Sequence, residues 1–263
     1  MLERDANCGS SYGFGFEEPI RAIVLGARGG IGQALAGLVL SAHPDNRALL
    51  TTRKPTLDLH APEGAAWCRL DVTKDEDWDE LREVARGFIE GHGGAFNFII
   101  NATGALHDTS GLVPERALRM IDSAQMMKSF AVNACAVAIA LKELTPLLPR
   151  RSRAIFASLS ARVGSISDNQ IGGWYSYRAA KAAQNMLIKT ASIELARTQK
   201  QTICVGLHPG TVHTELSAPF AGNVKHTVFT PEQSATYLMD VLSHLTPQET
   251  GGCYAWDGER IPE

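Results

Sequence analysis

The chain has 263 residues, a length that suits one large α/β domain and allows a full core to be buried. Hydrophobic residues make up 44% and charged residues 20%, the balance of a globular chain rather than a disordered or fibrous one. A net charge of −3, with Lys and Arg scattered rather than in blocks, gives no basic footprint for a phosphate backbone and argues against nucleic acid as a partner.

Residues 1–18 carry acids and glycines but no basic flank followed by an apolar run, so they read as a flexible tail and not as a signal peptide. The domain is expected over 19–263. From Arg21 onward, short aliphatic runs alternate with longer amphipathic stretches, as in βα units feeding a parallel sheet. The expected strands are Ala22–Leu25, Ala48–Thr52, Ala65–Leu70, Phe96–Ile100, Ala154–Ser158, Thr202–Leu207 and Cys253–Trp256. None alternates strictly, which fits strands buried on both faces. The fold class this implies is α/β, a single-domain doubly wound Rossmann fold with about seven parallel strands and helices on both sides.

Two helix starts are marked. Thr73 and Glu76 form a capping-box pattern ahead of Trp78, Leu81, Ala85 and Phe88, and Thr230, Pro231 and Gln233 repeat it. The longest apolar stretch, Ala131 to Leu141, contains Asn133 and ends at Lys142, short of the roughly 20 residues of a membrane span, so it reads as a core helix. No repeat or linker divides the chain. Cys8, Cys68, Cys135, Cys204 and Cys253 are far apart, with neither a paired nor a zinc-like spacing. Free thiols in the cytoplasm are the expectation, with no metal and no membrane.

Directly after the first strand stands Gly26-Ala27-Arg28-Gly29-Gly30-Ile31-Gly32, and Gln33 to Leu40 then begins a helix. Glycines at a strand-to-helix junction allow a sharp turn and let a pyrophosphate approach the helix N-terminus. In dinucleotide folds an acid about 20 positions on binds the ribose hydroxyl, whereas a cation accommodates a 2′-phosphate. Here that place holds Thr52, Arg53 and Lys54, which favours NADP(H); two charges solubilising a surface turn are the alternative. Asp71 with Val72, and Asn101 with Ala102 and Gly104, fall just past strand ends, on the edge where open α/β sheets bind ligands, although Asp and Asn also favour turns.

Tyr177 and Lys181 lie four apart near the start of a helix running toward Gln199, so phenol and ammonium share a face. A cation there is expected to lower the phenol pKa toward neutrality, as a proton donor to a carbonyl oxygen needs. Alone, such a pair is commonly solvated. With the glycine loop upstream, it reads as chemistry.

Together these motifs, with Ser160-Ala161-Arg162-Val163-Gly164-Ser165-Ile166, Gly172 to Arg178, Pro209-Gly210-x-Val212-x-Thr214 and the ending Trp256 to Glu259, resemble the short-chain dehydrogenase/reductase superfamily and within it the C-factor-like and carbonyl-reductase-like members. The resemblance runs from about Arg21 to the C-terminus. It implies an NADP(H)-dependent oxidoreductase of a small carbonyl or alcohol, with Tyr177 as general acid and base, Lys181 its helper and ribose contact, and Asn133 supporting a water-linked proton path. A structural amide inside the core is the other reading of Asn133. Arg28, Pro209, Gly210, Val212 and Thr214 would lie along the cofactor, residues Glu215 to Phe229 would form a lid, and homodimers or homotetramers would form through the Asn133 and Tyr177 helices. The family serine usually stands three residues ahead of the glycine; that place holds Ala161, so Ser160 is the candidate for the substrate-oxygen serine. His208 and His213 read as loop histidines. An NADP(H)-binding sensor or signalling protein with little turnover is the alternative function.

Overall fold

The computed structural model describes residues 12–56, 59–109, 111–223 and 227–263. In chain order its main elements are β1 (Arg21–Leu25), α1 (Gly30–Ala42), β2 (Arg47–Thr52), β3 (Ala65–Arg69), α2 (Asp75–His92), β4 (Phe98–Asn101), α3 (Ser123–Phe130), α4 (Ala136–Leu144), β5 (Ala154–Leu159), α5 (Tyr175–Thr198), β6 (Thr202–His208), β7 (Thr211–Val212), β8 (Val228–Phe229), α6 (Pro231–His244) and β9 (Cys253–Ala255). Seven strands form one parallel sheet in the order β3-β2-β1-β4-β5-β6-β9, while β7 and β8 pair separately. The order reverses between β1 and β4, where Leu25 pairs with Asn101, and a crevice opens at the carboxyl ends of such a reversal.

Alternate residues of each strand feed opposite cores. Val24, Ile100 and Val205 pack with Leu35, Val39, Leu238 and Leu242 of α1 and α6. Ile23, Ile99 and Phe156 pack with Trp78, Leu81, Val137, Leu144 and Ile188 of α2, α4 and α5. Each buried side chain of this size contributes about 1.5–3 kcal/mol, which explains the unbroken apolar runs of the strands.

Three sequence expectations change. Phe16 is only 2% exposed, edge-on to Phe98 and beneath the Arg153 guanidinium, so the packed chain begins before residue 19. The rest of the expected tail, residues 1–11, lies outside the described residues, with Cys8. The Thr73 capping box does not form: the Thr73 hydroxyl donates to Asp71, whose carboxylate also takes the Thr73 amide in a local turn, and α2 starts at Asp75 without a side-chain cap. The Thr230 box does form, with Pro231 in the first turn. Finally, the apolar helix is longer than its apolar stretch. Its run Ser123–Leu147 has 25 residues, long enough to span a bilayer by length and composition, yet Val137, Ala140 and Leu144 are buried in the second core.

Candidate active site

The glycine loop at the end of β1 is shaped by close approach. A Cβ on Gly32 would lie 2.4 Å from the Gly26 carbonyl oxygen, and Gly26 itself has φ +75° with Ala102 and Thr103 packed against it. The Gly26 and Ala27 amides donate to Thr51 at 3.1 and 3.0 Å, which pins the turn to β2. Helix α1 begins at Gly30 behind Gly29, with no side chain capping its first turn, so the amides and positive dipole face the crevice. A cradle that a single methyl would fill and an uncapped helix start fit a dinucleotide pyrophosphate. Ile31 is half-buried and Arg28 exposed at the loop's outer side.

At the tip of β2, Thr52 is buried while Arg53 and Lys54 are exposed. Asp71 follows β3 and feels the Arg53 charge. Burial draws its carboxyl up, but the Thr73 hydroxyl and amide, then Arg53 and Lys74, hold it below the usual range. Val72 beside it is buried. At the end of β4, Asn101 donates to the Ser158 hydroxyl at 3.0 Å and accepts from Thr103, so its amide is a strut between β4 and β5, and Ala102 stays tied to β1 through its amide.

Asn133 sits in a π-helical turn, Ala131–Cys135, between α3 and α4. Such turns are frequent at functional sites. The Asn133 amide oxygen accepts from the Ala105 backbone at 3.0 Å, and its nitrogen donates to the Ala105 carbonyl at 2.7 Å and to Ser129. The amide is thus satisfied inside the fold, and it also stands close to Gly104. A methyl on Gly104 would lie 3.4 Å from Asn133 Oδ1 and 4.0 Å from Lys181 Nζ, so these three residues converge.

Helix α5 carries Tyr177 and Lys181. Lys181, 2% exposed, donates from Nζ to the Leu159 carbonyl and to Gln184 Oε1, both at 2.8 Å, and lies 5.8 Å from the Tyr177 ring centre. Gln184, 0% exposed, donates in turn to Ser158 and to Leu159. The expected acidic phenol is not what the bare site holds. Burial pushes Tyr177 up to about 12, and burial pushes Lys181 down to about 7 against a small opposing pull from Cys253. Loss of water around each group outweighs their mutual attraction while the phenol is neutral.

Ser160 is buried, and its hydroxyl donates to Asn185 Oδ1 at 2.7 Å, beneath α5. Cys253 lies in the same cluster, its thiol pushed up to about 11 by burial, against which the Ser160 bond and the Lys181 charge pull down. Ala161, next along, starts the short turn Arg162–Gly164 and is half-buried. No hydrogen bond between Ser160 and Tyr177 is present among the described residues.

The opposite wall comes from β6 and the chain beyond it. Gly210 has φ +76°, with Phe229 where a side chain would stand; the Pro209 carbonyl accepts from Ser234 of α6, Val212 is buried in β7, and Thr214 stands over Gly30. In the segment after Thr214, Leu216 reaches toward Gly104 and Phe220 meets Trp174 and His107 at ring-centre distances of 5.2 and 5.8 Å. Trp174 in turn stands 6.2 Å from the Tyr177 ring. Part of the expected lid, residues 224–226, lies outside the described residues.

The sequence reading missed Gln184, Asn185 and His107, and it had Trp174 in a motif and Phe220 in the expected lid without joining the two. Gln184 and Asn185 were findable, being seven and eight positions past Tyr177 and so on its helical face. The aromatic wall joins three segments far apart in sequence, and no local pattern marks it.

A family model for short chain dehydrogenases matches residues 21–224. The 1-hydroxy-2-glutathionyl-2-methyl-3-butene dehydrogenase of a Rhodococcus strain is 33% identical over 138 residues, 52% of this chain and 58% of that protein, so less than two thirds of that relative is covered. C-signal of Myxococcus xanthus is 31% identical over 146 residues, 56% of this chain and 83% of C-signal. Among solved structures, the NADPH-bound carbonyl reductase from chicken fatty liver superposes with a TM-score of 0.76 at 23% identity, over 94% of this chain and all of that one, a likeness of fold.

Proposed function

Because the chain belongs to the short-chain dehydrogenase family, a family of oxidoreductases, we propose that it reduces a small carbonyl compound with NADPH, or oxidises the corresponding alcohol. The observation that carries this reading is the convergence of Tyr177, Lys181, Asn133 and Gly104 at the carboxyl edge of the sheet, beside a loop whose glycines leave room for a dinucleotide.

The Gly26–Gly32 loop and the start of α1 would hold the pyrophosphate. Arg53, exposed at the tip of β2 and preceded by Thr52 rather than an acid, would pair with a 2′-phosphate, and Asp71 and Val72 would flank the adenine. Asn101, Ala102, Pro209, Gly210, Val212 and Thr214 line the inner end. When bound there, NADPH would supply the hydride from its nicotinamide. Tyr177 then gives its Oη proton to the carbonyl oxygen, so that hydride and proton together turn C=O into CH–OH. The tyrosinate left behind favours a protonated Lys181, and that ammonium favours the tyrosinate, so the pair stabilises the charge separation that burial opposes in the bare site. Asn133 stands beside Lys181 where reprotonation from solvent would pass. Trp174, Phe220, Leu216 and His107 make the substrate wall largely apolar and aromatic, which favours flat, apolar carbonyls.

The test is NADPH consumption against aldehydes, ketones and quinones by the wild-type protein and by Tyr177→Phe. Turnover lost in the variant, with NADPH binding kept, supports the reading. A second reading has its own observation: with Ala161 at the family serine place and the Ser160 hydroxyl tied to Asn185, the substrate oxygen lacks the usual serine donor. NADPH binding without turnover on any carbonyl would favour a sensor or signalling role, as the similarity to C-signal allows. Assembly through the helices bearing Asn133 and Tyr177 is part of the proposal, since Met186 and Ile193 of α5 are 66% and 52% exposed. So is a reducing, cytoplasmic setting, in which Cys68, Cys135, Cys204 and Cys253 stay thiols.

A further inference from the structure

Helix α5 begins without a cap of its own. Trp174 at its N-cap is left-handed, with φ 52° and ψ 42°, after Gly172 and Gly173 that also have positive φ, and its side chain accepts nothing from the first turn. The acceptor comes instead from 61 residues upstream. Glu115, on the segment between β4 and α3, is 3% exposed. One of its carboxylate oxygens accepts from the Ser176 amide at 3.1 Å, the other accepts from the Ser176 hydroxyl, and its backbone carbonyl accepts from the Trp174 amide at 2.5 Å.

A carboxylate out of water costs stability unless donors and positive potential surround it. The start of a 24-residue helix provides both, and Glu115 takes the place that a Ser or Asp cap would otherwise hold. On the far side of Tyr177, the Arg178 guanidinium donates to the Gly173 and Val163 carbonyls at 3.0 and 3.4 Å. The phenol therefore stands between two neighbours that are each held from outside the helix. Trp174, which walls it, is held by the same glutamate.

We propose that Glu115 is a positioning residue for Tyr177, acting through Trp174 and Ser176. This rests on Tyr177 being the proton donor. The glycine loop that would take the dinucleotide lies across the crevice and shares no hydrogen bond with Glu115 among the described residues, so the role separates proton transfer from cofactor binding.

The experiment compares full-length wild type, Glu115→Gln, Glu115→Asp and Ser176→Ala, reading amide hydrogen exchange over residues 174–178, NADPH affinity, kcat and its solvent isotope effect. In Glu115→Gln a donor group or a weaker, uncharged acceptor meets Ser176. Exchange over 174–178 is then expected to speed about tenfold or more. A displacement of the phenol of the order of an ångström lowers kcat by about a hundredfold. The solvent isotope effect rises as proton transfer limits the rate, while NADPH affinity is unchanged. Glu115→Asp restores part of kcat, because the charge remains. Should Glu115→Gln fail to fold, Ser176→Ala keeps the carboxylate, removes one donor, and gives the same changes at smaller size. Unaltered exchange over 174–178, or an NADPH affinity that falls together with kcat, overturns the proposal. If wild type reduces no carbonyl at all, carbonyl reduction fails as a function, and the exchange data alone decide: faster exchange confined to 174–178 upholds the anchor, and unchanged exchange removes it.

Discussion

Replacing Lys181 by Met removes a charge that the bare fold holds at a cost. Burial takes this ammonium from its ordinary 10.5 to about 7, so the unfolded chain binds more protons than the native one between those values. Stability conferred at this position is therefore lowest below pH 7 and recovers as pH rises toward 10.5. Taken through the linkage relation, the penalty is about 4 kcal/mol at pH 7 and about 2 kcal/mol at pH 9. Met is similar in length and needs no water, so it escapes the penalty. Against this stands one orphaned acceptor, Gln184 Oε1, which costs about 1–3 kcal/mol; the Leu159 carbonyl still accepts from Gln184 Nε2. The net sign at a single pH is thus a close contest, but the slope is not. Urea unfolding of cofactor-free protein at pH 7, 8 and 9, followed by tryptophan fluorescence, is expected to show wild type gaining about 2 kcal/mol on Lys181→Met across that window. The Cys253 thiol titrates near 11 and Tyr177 near 12, above the window, and the other groups are common to both proteins. Parallel stability curves would refute the reasoning, because Lys181 would then remain fully charged in the fold at pH 9.

Gly32→Ala places a methyl 2.4 Å from a backbone oxygen that cannot swing away, and is expected to lower stability by about 1–3 kcal/mol and abolish NADPH binding in calorimetry. Arg53→Ala is expected to weaken NADPH by about tenfold or more through loss of a charge-assisted contact worth about 1.5–3 kcal/mol, with NADH affinity unchanged; equal losses for both cofactors would place the 2′-phosphate elsewhere. Trp174→Ala is expected to raise KM for an aryl ketone far more than for a short aliphatic aldehyde, since it opens the aromatic wall beside Tyr177. Thr230→Ala breaks the formed capping box of α6 and is expected to cost about 1 kcal/mol in chemical denaturation, whereas Thr73→Ala, whose hydroxyl serves Asp71 instead, leaves α2 uncapped as before.

The fold was legible because its signals are local and repeated. Each of the seven expected sheet strands matches an observed one, with ends displaced by at most two residues, since a strand buried on both faces writes itself as an apolar run whatever its neighbours are. The glycine loop was legible for a similar reason: Gly26 and Gly32 answer to a turn and a contact within seven residues of each other. The Thr73 box failed where two local solutions compete, since an Asp two residues earlier accepts from the Thr73 amide that Glu76 would otherwise take, and from its hydroxyl as well. Phe16 escaped notice because a lone aromatic among glycines has no periodicity to reveal that it finds Phe98.

At the site, the types of residue were readable and their electrostatic state was not. A helical offset of four brings an ammonium and a phenol together, but whether attraction or loss of water sets their pKa values depends on what fills the space around them, which here is Leu159, Gln184 and the sheet. Burial raises the phenol and lowers the amine, so the bare site stores its proton on the tyrosine and leaves the lysine near half-protonation at pH 7. That arrangement disfavours tyrosinate until something negative and oxygen-bearing needs a proton beside it. In the proposed reaction what occupies the crevice would gate reactivity, with Leu159 and Gln184 holding the lysine and Glu115 positioning the phenol. In the bare site the hydroxyl of Ser160 is directed to Asn185. On the reading in which Ser160 stays tied to Asn185, a hydroxyl supplied by Ala161→Ser is expected to raise kcat on a carbonyl that wild type already reduces; an unchanged kcat with Ala161→Ser and a loss with Ser160→Ala would return the substrate-oxygen role to Ser160.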